Sequence, residues 1–118
     1  MFKLFLLFPL LFLFPAYTFE IRKEPIEMTA SWYGVESCVR EDCLMANGEK
    51  FDENRISCAS RQFYGKTIWI RYGDKEILCP VKDKIAKRFD ETRVDISKMG
   101  FKELSGNLEL GLIKVKIY

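Results

Sequence analysis

The chain contains no histidine. A Ser/His or Cys/His nucleophile pair is therefore excluded, and any proton transfer falls to carboxylates, lysine or tyrosine. There are only four cysteines, and no two form a C-x-x-C pair. Without such knuckles or histidine the usual zinc patterns are missing, so no metal and no cofactor is expected. An excess of one charge is also lacking. Nineteen Lys and Arg face seventeen Asp and Glu, for a net charge of +2. The two signs are interspersed, as in Lys82-Asp83-Lys84, which leaves no electrostatic footprint for nucleic acid. Internal repeats and low-complexity stretches are absent as well. Gly65-Lys66-Thr67 ends like a phosphate-binding loop, but Ser60 stands where that motif needs its first glycine.

The longest apolar run, Leu4 to Phe14, is broken by Pro9. It is shorter than the roughly 20 residues a membrane span requires. Lys3 precedes it, and Ala16 and Thr18 follow. Charge, apolar run and small residues in this order predict a secretory signal over residues 1–18, cleaved after Ala16 or Thr18. The alternative is an uncleaved N-terminal anchor. Either way the domain is expected outside the cytoplasm, secreted or periplasmic in the cell envelope, with no stable membrane insertion after cleavage. Residues 19–27 form a short charged leader, and residues 28–118 suffice for one compact domain, expected to be a monomer.

Cys38, Cys43, Cys58 and Cys79 form an even set, which in an oxidising compartment predicts two disulfides. Three pairings are open. The preferred one joins Cys38 to Cys43 as a short loop closure and Cys58 to Cys79 between two expected strands. Strands are expected at residues 28–33, 55–59, 67–72, 75–81 and within 108–118. In the last of these, Ile113, Val115 and Ile117 alternate with Lys114 and Lys116. Gly73-Asp74 turns the third expected strand into the fourth. Pro80 cannot donate to a ladder, so the fourth is expected to be bulged or at an edge there. Trp69, at a strand centre, is expected in the core. A helix is expected over residues 97–104, capped by Ser97 and stopped by Gly106, with Gly100 weakening its interior. Many short strands and one short helix point to a small closed barrel.

Six segments carry a resemblance to a known family. Ala30-Ser31-Trp32-Tyr33-Gly34 resembles the A-S-W-Y-G opening of RlpA-like domains. Met45-Ala46-Asn47-Gly48-Glu49 with Phe51-Asp52 resembles their A-N-G-E-x-F-D segment. Ser57-Cys58-Ala59-Ser60, Tyr64-Gly65-Lys66-Thr67, Val81-Lys82-Asp83-Lys84 and Arg93-Val94-Asp95-Ile96-Ser97 stand in order where that family has T-A-A-H, P-F-G-T, the strand into D-R-G-P, and an Arg-containing D-L-S segment. The resemblance spans about Thr29 to Ile117. It implies a mainly β fold, a six-stranded double-psi β-barrel with one or two short helices, shared with expansin N-terminal domains and some lytic transglycosylases. It also implies a glycan partner, peptidoglycan or a related polysaccharide.

Carried over position by position, the family's functional residues fall on Glu49, Ser60, Asp83 and Asp95. Glu49, Asp83 and Asp95 are the catalytic candidates; Ser31, Tyr33, Ser60 and Lys84 are the substrate-binding ones. Cleaving a glycosidic bond needs an acid to protonate the leaving oxygen. In a lytic transglycosylase the sugar's own 6-hydroxyl then attacks, so one carboxyl, Asp83, suffices as acid and then base. Two departures matter. Ser60 replaces a histidine, and a serine hydroxyl does not titrate near neutral pH. Lys84-Ile85-Ala86 replaces Arg-Gly-Pro, which loses the bidentate fork of arginine. Two functions are thus in competition: peptidoglycan cleavage centred on Asp83, and a non-catalytic expansin-like module that binds or loosens polysaccharide. A third, a small secreted inhibitor or effector, rests on size and disulfides alone. Trp32, Tyr33, Phe63 and Tyr64 are candidates for stacking on sugar rings. A groove holding Asp83, Asp95, Glu49 and Tyr33 on one wall favours glycan chemistry, whereas a salt bridge from Asp83 to Lys84 or Arg93 favours a structural role.

Overall fold

The computed structural model describes residues 24–38, 41–89 and 91–118. The expected signal at residues 1–18 lies outside them, as does most of the expected leader. Six strands run in chain order: β1 (Ile26–Tyr33), β2 (Cys58–Ala59), β3 (Thr67–Tyr72), β4 (Lys75–Asp83), β5 (Arg93–Ser97) and β6 (Ile113–Ile117). They close into a barrel in the order β1-β5-β2-β4-β3-β6. Two pairings, β1 with β5 and β2 with β4, are parallel; the other four are antiparallel. Closure leaves no free sheet edge.

Alternation dictates the core. Met28 and Ala30 of β1, Ile68 and Ile70 of β3, Ile77, Cys79 and Val81 of β4, Val94 and Ile96 of β5, and Ile113, Val115 and Ile117 of β6 all point inward and are buried. Trp69 takes the opposite face from Ile68 and Ile70. It is 45 % exposed, beside its cross-strand partner Leu78, and so is not the core residue expected from its place in the strand. Inward isoleucines on both sides leave the tryptophan only the outer face.

Several bounds differ from expectation. The first strand begins two residues earlier, inside the expected leader. The second shrinks to two residues, although Ser57 before it still accepts from Ser97 N at 2.8 Å. Residues 108–110 form a single 3₁₀ turn before β6. β5 was not expected as a separate strand. Pro80 pairs with Thr67 in an unbroken β3–β4 ladder; the irregularity comes just after it, where Cys58 faces Val81 and Ala59 faces Asp83, skipping Lys82. Both preferred disulfides, Cys38–Cys43 and Cys58–Cys79, are formed and no cysteine is free.

Helix α1 (Lys98–Ser105) lies close to the expected position. Ser97 caps it, its hydroxyl accepting from Gly100 N at 3.3 Å, and Gly106 ends it with φ of 77°. The Ser97 hydroxyl also donates to Arg55 O at 2.6 Å, pinning the chain that precedes β2. Gly100 is there for space. A Cβ on it would lie 2.7 Å from Ile96 Cγ2, a side chain with no exposure and no room to move. Gly100→Ala gains about 1 kcal/mol of helix propensity but overpacks at a cost of roughly 1–3 kcal/mol. A net loss in unfolding free energy is expected in urea titrations, despite the better helix former.

Candidate functional site

Register places the candidates. Ser31 of β1 is opposite Asp95 of β5, Asp95 is opposite Ala59 of β2, and Ala59 is opposite Asp83 of β4. Four strands thus contribute one row, Ser31–Asp95–Ala59–Asp83, with Ser31 and Ala59 buried and Asp95 and Asp83 half-buried, although these residues are scattered along the chain. The Ser31 hydroxyl donates to Asp95 Oδ1. Asp83 Oδ1 accepts from two backbone N–H groups, Ala46 at 2.9 Å and Lys84 at 2.8 Å. Those bonds orient the carboxylate and leave Oδ2 with no hydrogen bond among the described residues. No salt bridge ties Asp83 to Lys84 or Arg93 among those residues; Lys84 offers its backbone N–H, and its ammonium lies 4.8 Å from the centre of the Tyr64 ring.

Tyr33 ends β1 beside this row. Its ring stacks on Phe51 with centroids 4.6 Å apart. Burial foremost, then the negative charge of Asp83 and more weakly that of Asp95, push the phenol well above its ordinary value; Ser57 acts in the opposite sense through its side chain. The hydroxyl is enclosed and makes no hydrogen bond of good geometry among the described residues. Tyr33 is therefore a neutral O–H held near two carboxylates. A raised folded-state value contributes stability below the ordinary tyrosine value of 10.0, and that contribution is lost as pH climbs through the folded value. Denaturant titrations from pH 9 to 11 should show stability falling above about pH 10, with a shallower fall in Tyr33→Phe.

A cavity of about 240 Å³ opens over Asp83 and Tyr33, lined also by Phe51, Leu44 and the bridged Cys38 and Cys43. A larger one of about 840 Å³ lies on the other side of Phe51 and holds Glu49, Arg55 and Lys82. Lys82 and Asp83 are neighbours on β4 and face opposite ways. That separates Glu49 from the acidic row: it is exposed, bonded to Lys82 Nζ at 2.8 Å and to Asn47 at 3.1 Å. Lys82 holds its carboxyl below the usual range. Ser60 is fully buried; its hydroxyl accepts from Phe63 N at 3.2 Å and its N–H donates to Asp83 O at 3.0 Å. It braces the strand that carries Asp83.

The structure therefore brings together Ser31, Tyr33, Asp83 and Asp95, puts Lys84 beside them over Tyr64, sets Glu49 in the neighbouring cavity and buries Ser60 beneath. Of the aromatic candidates, Trp32 donates from Nε1 to Leu108 O at 2.9 Å and packs with Phe63 against the core. Phe51, which backs Tyr33 and divides the two cavities, was named in sequence only as part of a motif. Its apolar character next to Gly48-Glu49-Lys50 was the available signal.

No family model matches the chain, and neither does any curated protein. Solved structures do share its fold. Streptomyces papain inhibitor aligns with a TM-score of 0.64 and 17 % identity over 80 % of this chain and 92 % of that one. The apo form of a Clavibacter michiganensis expansin aligns with a TM-score of 0.62 and 14 % identity, over 80 % of this chain and 50 % of the expansin. A mutant of that expansin, in complex with cellohexaose, aligns with a TM-score of 0.62 and 12 % identity. This chain spans half the length of the expansins. The fold shared with these structures is the double-psi β-barrel, as expected from the sequence.

Proposed function

We propose that the chain is an exported domain that binds cell-wall polysaccharide, with a glycan strand lying along the row from Ser31 to Asp83. The observation that carries this reading is the convergence of two half-buried carboxylates, a buried serine and a neutral, enclosed tyrosine hydroxyl in one row. Sugars present arrays of hydroxyls, and carboxylates with a free oxygen accept from them in charge-assisted hydrogen bonds. The cellohexaose complex of the expansin neighbour supports the ligand class. Two disulfides fit an oxidising compartment, and the resemblance to RlpA-like domains makes peptidoglycan the first polymer to test. The oxidised domain is expected to sediment with insoluble peptidoglycan; a domain that stays wholly in the supernatant would overturn the reading.

The free Oδ2 of Asp83 favours a second reading, cleavage with Asp83 as acid and base. Its help is reduced, because Ser60 is occupied in the scaffold and Glu49 is held by Lys82. Anhydro-muropeptides released by the unmodified domain, and lowered by about a hundredfold or more in Asp83→Asn, are the result that would establish it. The inhibitor reading is tested with papain, since the papain inhibitor is matched over nearly its whole length.

A further inference from the structure

A second row of side chains runs beside the acidic one. On β5, Arg93 stands two residues before Asp95 and shares its face, about 7 Å away along the strand. Register sets Thr29 of β1 opposite Arg93 and Lys114 of β6 opposite Thr29, giving Lys114–Thr29–Arg93 next to Ser31–Asp95. The Arg93 guanidinium lies 4.7 Å from the centre of the Phe89 ring, and Arg88 lies 4.9 Å from the same ring. Neither arginine has a carboxylate within salt-bridge distance among the described residues, whereas Arg61 is paired with Glu91 at 3.7 Å. Arg93 Nε is enclosed and has no hydrogen-bond partner among the described residues.

An enclosed guanidinium N–H without an acceptor is costly unless something arrives to satisfy it. A planar fork fixed against an aromatic ring is suited to a carboxylate. The acidic row beside it accepts from hydroxyls and would repel a second carboxylate. A sugar bearing one carboxyl and several hydroxyls matches both rows in one orientation only.

We infer that the polysaccharide these two rows select is acidic, with Arg93 seating a sugar carboxylate while Asp95 and Asp83 take hydroxyls of the same strand. This rests on the glycan-binding reading and narrows it from polysaccharides in general to carboxylated ones. The neutral chains of cellulose satisfy the acidic row alone.

The test uses the intact oxidised domain in native gels cast with polygalacturonate or with its methyl ester, which differ only in free carboxylates. Retardation by polygalacturonate is expected at roughly tenfold lower polymer concentration than by the ester. Arg93→Gln should abolish that difference and Arg93→Lys should keep part of it. Lys75→Gln, an equal loss of charge at an exposed position remote from the groove, should leave it intact. Equal retardation by the two polymers, or equal effects of Arg93→Gln and Lys75→Gln, would overturn the inference while leaving glycan binding standing. If both polymers and insoluble peptidoglycan fail to bind, the functional reading falls and takes the inference with it. Circular dichroism of each variant confirms that the barrel is folded.

Discussion

Replacing both Cys58 and Cys79 by alanine should lower the thermal midpoint of the domain by roughly 15 °C or more. The bridge closes a loop with a sequence separation of 21 and ties β2 to β4. Loop-closure entropy for that length is worth about 3 kcal/mol, and for a domain of this size each kcal/mol moves the midpoint by about 4–8 °C. Both cysteines are fully buried, so alanine also leaves a void. β2 is only two residues long, so its ladder to β5 and β4 is short and the bridge is its one covalent tie to a neighbouring strand among the described residues. The half-buried bridge Cys38–Cys43, with a sequence separation of 5, closes a much shorter loop, and its removal should cost less. Thermal unfolding followed by circular dichroism, with and without reductant, measures both. A midpoint unchanged in the Cys58 and Cys79 variant would mean that packing alone holds β2.

Asp95→Ala is expected to weaken retention on insoluble peptidoglycan by about tenfold or more, the range for losing hydrogen bonds to a charged group. It removes the acceptor for the Ser31 hydroxyl as well as a carboxylate in the centre of the row. Asp95→Asn restores an acceptor for Ser31 but not the charge. If the two variants bind equally weakly, the charge contacts the glycan; if Asn restores binding, Asp95 acts by orienting Ser31. Depletion from the supernatant across a series of polymer concentrations gives both affinities. Retention unchanged in Asp95→Ala would remove Asp95 from the site.

The barrel was legible because its core obeys simple periods. Ile113, Val115 and Ile117 announce β6, Gly73-Asp74 announces the hairpin, and Ser97 and Gly106 mark the helix. β5 was harder to see. Only Val94 and Ile96 are apolar in it, because its other face carries the charged Arg93 and Asp95. A strand whose outer face is charged loses half of its hydrophobic signature. Trp69 was misplaced because strand position says nothing of strand face; the flanking isoleucines did. The association of Asp83 with Asp95 through Ala59 depends on a parallel pairing of β2 with β4, which no local pattern announces. Glu49 shares a motif with the site in sequence, yet the alternation of Lys82 and Asp83 along β4 puts it on another wall.

The row from Ser31 to Asp83 has a consequence for exchange of amide hydrogens with solvent. Its members come from four strands of a closed barrel, and the N–H of Ser60 beside them is bonded to Asp83 O. No single loop or hairpin contains the groove, so it has no low-energy local opening of its own. The amides of β2 and of the facing parts of β4 and β5 should exchange only with the slowest, global class. Groove and barrel then form one cooperative unit. A destabilising substitution in the core is then expected to speed amide exchange at the site by making the whole domain unfold more often.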